Sequence, residues 1–181
     1  METTLEKTSR RIVLGVTGSI AAYKAAELVR LLVKSGDDVT VVMTDAAREF
    51  VTPLTFRTLS RNPVHVSAFE EPAEWRPGHV SLATWADLVV VAPASANTLA
   101  KMRAGLADNL LTSILLATRA PVFVAPAMND GMWEHPATRE NLAVLASRGV
   151  HVIKPRSGDL ACGTSGAGRM AEPAEILEAL R

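Results

Sequence analysis

The sequence predicts a three-layer α/β domain in which a parallel sheet is flanked by helices, and three observations carry that prediction. Short apolar runs rich in valine recur at residues 12–16, 38–44, 88–92, 121–125 and 150–154. Such continuous runs fit strands buried on both faces, as parallel strands are. Longer stretches between them place apolar residues at helical spacing, so strands and helices alternate along the chain and right-handed crossovers follow. Hydrophobic residues make up 48% of the 181-residue chain and aromatics only 4%, which calls for a core of Ala, Val, Leu and Ile. The class is therefore Rossmann-like, in its flavodoxin-like form.

The elements follow in order. Residues 1–10 read as a flexible, solvated tail, and residues 11–181 as the single folded domain. Ile12 to Val16 form a strand that runs into Thr17-Gly18-Ser19. Ala22, Ala26, Val29, Leu32 and Val33 then mark a helix with Ser19 as N-cap and Gly36 just past its end. After the strand at 38–44, residues 45–50 and 53–60 open short helices. Residues 61–78, with Pro63, Pro72, Pro77 and Gly78, read as an irregular excursion with one short strand near Val64. A helix at 79–87 leads to the strand at 88–92. Ser95 starts a helix reaching Arg103, Gly105 interrupts it, and residues 108–119 form the next. Pro136 opens a helix at its N1 position that ends at Gly149. Residues 157–170 read as a Gly-rich loop, and the last helix begins at Pro173.

Charge and cysteine content exclude several function classes. Lys plus Arg equals Asp plus Glu, with no long block of one sign, so no nucleic-acid face or anionic-membrane surface is indicated. Cys162 is the one cysteine, which rules out an internal disulfide and favours a cytoplasmic protein. The polar N-terminus lacks the apolar segment of a signal peptide, and no apolar run has the length of a bilayer span. His65, His79, His135 and His151 show no metal-ligand spacing with each other or with Cys162, so no metal site is expected.

The turns after the strands carry the chemistry. Gly18-Ser19 and Ser95-Ala96-Asn97-Thr98 each precede a helix, whose free N–H groups and dipole suit a phosphate. Each alone is equally a capped helix start; at neighbouring strand ends, the pair suits a mononucleotide such as a phosphorylated flavin. The spacing is neither G-x-G-x-x-G nor G-x-x-x-x-G-K-[ST]. Residues 126–133 leave a strand end with Asn129 between Met128 and Met132-Trp133, and read either as a pocket wall or as a turn. His79 begins a helix, where it serves either as a neutral base or as a local hydrogen-bonding residue. Cys162, in a loop of glycines, is either a reactive residue on a mobile lid or part of an ordinary loop. Lys24, Arg103 and Arg169 are read as solvated surface cations.

Five motifs together resemble the homo-oligomeric flavin-containing cysteine decarboxylases. They are Gly18-Ser19-Ile20-Ala21-Ala22-Tyr23-Lys24, His79-Val80-x-Leu82-x-x-Trp85-Ala86-Asp87, Pro93-Ala94-Ser95-Ala96-Asn97-Thr98, Pro126-Ala127-Met128-Asn129-x-x-Met132-Trp133 and Ala161-Cys162-Gly163-x-x-Gly166-x-Gly168-Arg169-Met170. The likeness covers nearly all of the chain after Arg11 and is strongest to the members acting in coenzyme A synthesis. It implies FMN held by Gly18, Ser19, Thr44, Phe50, Ser95, Ala96, Asn97, Thr98 and Ala127. It also implies His79 as active-site base, Asn129 on the substrate carboxylate, and a substrate-covering flap carrying Ala161, Cys162 and Gly163.

The implied reaction is decarboxylation of 4′-phosphopantothenoylcysteine to 4′-phosphopantetheine. The thiol end is transiently oxidised to a thioaldehyde, CO2 leaves to give an enethiolate, and Cys162 supplies a proton as hydride returns. The resemblance further implies self-association as a trimer or dodecamer, with FMN and substrate at subunit contacts. Relatives that decarboxylate a peptide C-terminal cysteine share the histidine and the Asn motif, and can lack the flap cysteine that this chain keeps. A flavin prenyltransferase would not carry the Met-Asn and Cys-Gly pairs, and a non-catalytic regulatory subunit would not need His79, Asn129 and Cys162 together. Thr164 follows Cys162-Gly163 where the coenzyme A enzymes commonly have an acidic residue, a departure that bears on substrate identity. Many bacterial relatives continue into a ligase domain; the chain ending at Arg181 is expected to be the decarboxylase alone, with the ligase supplied separately.

Overall fold

The computed structural model describes residues 9–69, 78–159 and 165–181. Strands β1 (Arg11–Val16), β2 (Asp38–Met43), β3 (Val64–His65), β4 (Leu88–Ala94), β5 (Val122–Pro126) and β6 (His151–Val152) form one parallel sheet in the order β3-β2-β1-β4-β5-β6. They alternate with α1 (Ala22–Lys34), α2 (Asp45–Arg48), α3 (Pro53–Ser60), α4 (Gly78–Trp85), α5 (Ala96–Ala104), α6 (Leu110–Ala117), α7 (Asp130–Glu134) and α8 (Pro136–Ser147). An antiparallel pair, β7 (Arg156–Asp159) and β8 (Ser165–Arg169), precedes α9 (Pro173–Ala179).

Period-two alternation in the strands divides the core between the two faces of the sheet. Ile12, Leu14 and Val16 of β1 and Val90 and Ala92 of β4 pack with α1, Phe56 of α3 and Ile176 of α9. Val13, Val89 and Val91 face the other way, onto Leu110, Leu111 and Ile114 of α6 and Leu142 and Leu145 of α8. Gly15 makes that second layer possible, because a Cβ there would lie 2.5 Å from Leu111 Cδ1. The strand order reverses between β1 and β4. At such a switch point successive crossovers leave on opposite faces and open a crevice beyond the carboxyl ends of the strands.

Four expectations need correction. Ser19 does not cap α1 directly: the helix begins at Ala22, and Ser19 instead closes the preceding turn, its Oγ accepting from Ala21 N–H at 3.2 Å and its carbonyl from Ala22 N–H at 2.9 Å. Residues 157–170 are not simply a loop, since β7 and β8 pair across them. Residues after Asn129 form the short helix α7 rather than a turn alone. Arg10, placed by sequence in the tail, is anchored: its Nε and Nη2 donate to the Asp37 carboxylate at 3.0 and 2.9 Å, and its Nη1 to the Leu180 carbonyl. No helix among the described residues is long and apolar enough to cross a membrane.

Candidate functional site

A cavity of about 980 Å³ occupies the crevice at the carboxyl ends of β1, β2, β4 and β5. Its floor is made by turns that leave the sheet. Gly18 and Ser19 follow β1, and a Cβ on Gly18 would sit 2.6 Å from the Ala46 methyl, so only glycine lets the first turn close against the start of α2. Thr44 follows β2 and caps α2, its Oγ1 accepting from Ala47 N–H at 3.3 Å. Ser95 follows β4 and caps α5: its Oγ accepts from Thr98 N–H at 3.3 Å and donates to Thr98 Oγ1 at 3.1 Å. That cap satisfies the third amide of the helix and leaves those of Ala96 and Asn97 directed past the end of α5. Ala127, 5% exposed, follows β5.

The wall over these turns comes from the segment after β5 and from β8. Asn129 caps α7 by accepting the Gly131 N–H on Oδ1 at 2.9 Å, and Met128 and Met132 line the cavity beside it. Met128 N–H donates to the Gly168 carbonyl at 3.0 Å, which docks β8 onto this segment. The approach is close enough that glycine is required: a Cβ on Gly168 would lie 2.4 Å from the Met128 carbonyl oxygen, and one on Gly166 would lie 2.7 Å from Asp130 Cβ.

Cations border the cavity, and each is held by a carboxylate. Lys24, expected to be solvated, is only 6% exposed; its Nζ donates to both oxygens of Glu172 at 2.9 and 3.0 Å. Arg169 donates to the same carboxylate at 3.0 Å, and Arg156 stands 3.8 Å away. The Lys24 hydrogen bonds, opposed by partial burial and helped by the charges of Lys24, Arg169 and Arg156, hold the Glu172 carboxyl below its ordinary range. Across the cavity Lys101 pairs with Asp108 at 2.6 Å, which holds the Asp108 carboxyl down in the same way. Arg103 lies elsewhere, paired with Glu140 at 2.8 Å.

The structure thus gathers Gly18, Ser19, Thr44, Ser95, Ala96, Asn97, Thr98, Ala127 and Asn129 around one cavity. Phe50 and His79 are not among its lining residues in the single chain. Phe50 sits in the turn after α2, 49% exposed, and His79 is half-buried in the first turn of α4. Ala161, Cys162 and Gly163 lie outside the described residues. Sequence reasoning missed Asn109, which lines the cavity as the cap of α6 with Thr112 N–H donating to its Oδ1 at 3.0 Å. The Asn109-x-x-Thr112 spacing before an apolar run was the available signal. Among the described residues no cluster of His, Cys, Asp or Glu could hold a metal ion.

A doubly flanked parallel sheet with a phosphate-suited crevice at its switch point defines a Rossmann-like ligand-binding domain. The chain belongs to the Flavoprotein family, which matches residues 1–181. It is 52% identical over 171 residues to the coenzyme A biosynthesis bifunctional protein CoaBC of Haemophilus influenzae, covering 94% of this chain and 43% of that protein. The chain therefore spans less than half the length of such relatives. Among solved structures, a mutant PPC decarboxylase complexed with pantothenoylaminoethenethiol superposes with a TM-score of 0.85 at 36% identity, covering 96% of this chain and 97% of that one. The FMN-binding protein AtHal3 superposes with a TM-score of 0.82 at 36% identity, covering 96% and 95%.

Proposed function

We propose that this domain binds FMN and decarboxylates 4′-phosphopantothenoylcysteine to 4′-phosphopantetheine, a carboxy-lyase step of coenzyme A biosynthesis. The observation that carries the reading is the convergence of the Gly18-Ser19, Thr44, Ser95–Thr98, Ala127 and Asn129 positions on one cavity. Likeness to CoaBC and to PPC decarboxylase supports the reaction, and likeness to AtHal3 supports the cofactor.

The residues present fit such a group. Gly18 packs so closely on Ala46 that the first turn lies low against the start of α2, and the adjacent amides of Ala96 and Asn97 with the Ser19 hydroxyl suit a phosphate. The small Ala127 side chain leaves room for a flat ring. Bound FMN would supply reversible two-electron oxidation of the cysteine-derived carbon–sulfur end. The chain's own residues do the rest. Asn129, held in place by the Gly131 N–H on its Oδ1, orients the substrate carboxylate for loss of CO2. His79 takes the thiol proton, and Cys162 returns one to carbon.

Self-association accounts for the position of His79 and Phe50 outside the single-chain cavity. Exposed Val80, adjacent to His79 in the chain, and Leu54, just after Phe50, at 41 and 59%, offer apolar contact surface, as do Ile20 and Tyr23 at the cavity, at 58 and 61%, and a neighbouring subunit would complete the site. We read the assembly as a trimer or a dodecamer built from trimers, and its place as the cytoplasm.

The test is to purify the protein, record its flavin spectrum, and compare CO2 release from 4′-phosphopantothenoylcysteine with release from peptides ending in cysteine. Protein that stays colourless after reconstitution with FMN would refute the cofactor assignment, and preference for the peptides would refute the substrate. Cys162→Ser is expected to release CO2 while an oxidised enethiol product accumulates; undiminished phosphopantetheine would remove Cys162 from its role.

A further inference from the structure

The four turns that floor the cavity must keep a fixed spacing, and the structure joins them by a chain of hydrogen bonds. Thr44 N–H donates to the Val16 carbonyl at 3.0 Å and ties the β2 turn to the β1 turn. Ala127 N–H donates to the Ala94 carbonyl at 3.1 Å and ties the β5 turn to the β4 turn. Between β1 and β4 the register of paired residues ends at Gly15 and Val91, and β4 becomes irregular between Val91 and Ala94. This is the switch point, where the chain leaves the two strands toward opposite faces and backbone pairing cannot continue.

Thr17 stands in that gap. Its side chain is wholly buried, and its Oγ1 donates to the Pro93 carbonyl at 2.7 Å while accepting from the Ser95 amide at 2.9 Å. One hydroxyl therefore uses both its donor and its acceptor capacity across the seam. It also consumes the Ser95 amide, which fixes the orientation of the residue whose Oγ caps α5. The hydroxyl is not among the groups lining the cavity, so it acts through the turns on either side.

We infer that Thr17 is the positioning residue of this site: its hydroxyl sets the distance between the Gly18-Ser19 turn and the Ser95–Thr98 turn, and with it the fit of a phosphorylated, flat-ring ligand. The ligand half of this inference rests on the FMN reading above, whereas the link itself is a property of the protein without ligand. Valine at 17 keeps the shape of threonine and removes both hydrogen bonds; serine keeps the hydroxyl and removes the methyl.

The experiment compares wild type, Thr17→Val and Thr17→Ser as flavin-free protein titrated with FMN, with thermal unfolding and amide hydrogen exchange of Ser95 measured on the same samples. Thr17→Val is expected to weaken FMN binding about 10- to 100-fold, the loss typical of a site displaced by a fraction of an ångström to an ångström, and to alter the shape of the bound flavin absorption band. Thr17→Ser should restore affinity to within about threefold of wild type, and the Ser95 amide should be protected in wild type and Thr17→Ser but exposed in Thr17→Val. A Thr17→Val protein that melts lower yet binds FMN with unchanged affinity and spectrum would show a merely structural residue and overturn the inference. So would a Thr17→Ser protein as weak as Thr17→Val. Should wild type bind no FMN, the cofactor reading fails by itself, and Ser95 exchange still decides the link: equal protection in all three proteins overturns it. If Thr17→Val does not fold, Thr17→Ala takes its place against Thr17→Ser with the same readouts.

Discussion

Replacing Gly168 by alanine separates two costs that are usually confounded. Gly168 has φ +119°, a conformation that L side chains rarely adopt, and its added Cβ would stand 2.4 Å from the Met128 carbonyl oxygen and 3.4 Å from that of Asn129. The backbone strain costs about 1–3 kcal/mol. The nearest atom belongs to backbone, so the overlap cannot be relieved by a rotamer change; β8 must back away and stretch the Met128 N–H to Gly168 carbonyl bond, at about 1 kcal/mol more. A total of about 2–4 kcal/mol follows, a large part of the ~5–15 kcal/mol that holds a domain folded. Gly36 provides the control: its φ is +92°, yet nothing lies within 4 Å of its would-be Cβ, so Gly36→Ala carries strain alone, about 1–2 kcal/mol. Urea unfolding of both variants, with the slope checked for two-state behaviour, measures the difference. Because Met128 adjoins Asn129, Gly168→Ala should also weaken ligand binding where Gly36→Ala does not. Equal destabilisation by the two variants, within about 0.5 kcal/mol, would refute the close-approach argument.

Glu172→Gln leaves the buried Lys24 ammonium without its carboxylate and is expected to cost about 1–3 kcal/mol in urea unfolding, less than for a fully buried pair because Glu172 is 30% exposed. Since the folded carboxyl lies below its ordinary value of 4.5, its contribution is full above that pH and is lost as pH falls through the folded value; the Glu172→Gln stability curve should therefore be flatter than wild type below 4.5. Asp87, held down by hydrogen bonds from the Arg11 side chain and backbone, titrates from 3.8 when unfolded to about 2 when folded. Its stabilising effect should be present above 3.8 and fade toward about 2, so Asp87→Asn should lose that part of the acid dependence in melting curves recorded from pH 5 to about 2.

The sheet was legible because five of its six strands announce themselves as short valine-rich runs with Gly or Pro close by, and the structure keeps those runs within a residue or two: 38–44 became Asp38–Met43 and 121–125 became Val122–Pro126. Turns at strand ends were legible for the same reason, since topology sends them all to one edge. The β7–β8 pair was hidden because its residues, Ser157, Gly158, Gly166 and Gly168 among them, are poor strand formers. Its pairing is supported by tertiary contact, through the backbone of Met128, and glycine is there for closeness of approach rather than for flexibility. Lys24 was misread because its partner lies 148 residues away in sequence, where no local pattern could reveal it.

These hidden contacts share a direction. The cavity floor is built by strand ends and survives in the sequence as motifs, whereas part of the wall is carried by β8, far along the chain, with Glu172 at the start of α9 bracing its rim. Glu172 draws Lys24 from α1, Arg169 from β8 and Arg156 from β7 onto one carboxylate, so three elements meet at the rim through a charge network rather than through apolar packing. Such a network is strong only while its members stay ionised and partly dry. Floor and wall should accordingly respond differently to acid: the turns that Thr17 ties, residues 17–19 and 95–98, carry no titrating group, while the rim loosens once Glu172 takes up a proton. Hydrogen exchange measured above and below pH 4.5 tests this directly, with faster exchange expected first in residues 165–169 and not in residues 95–98. Simultaneous loss of protection in both segments would mean that the cavity opens as one cooperative unit and that the charge network is not its weak point.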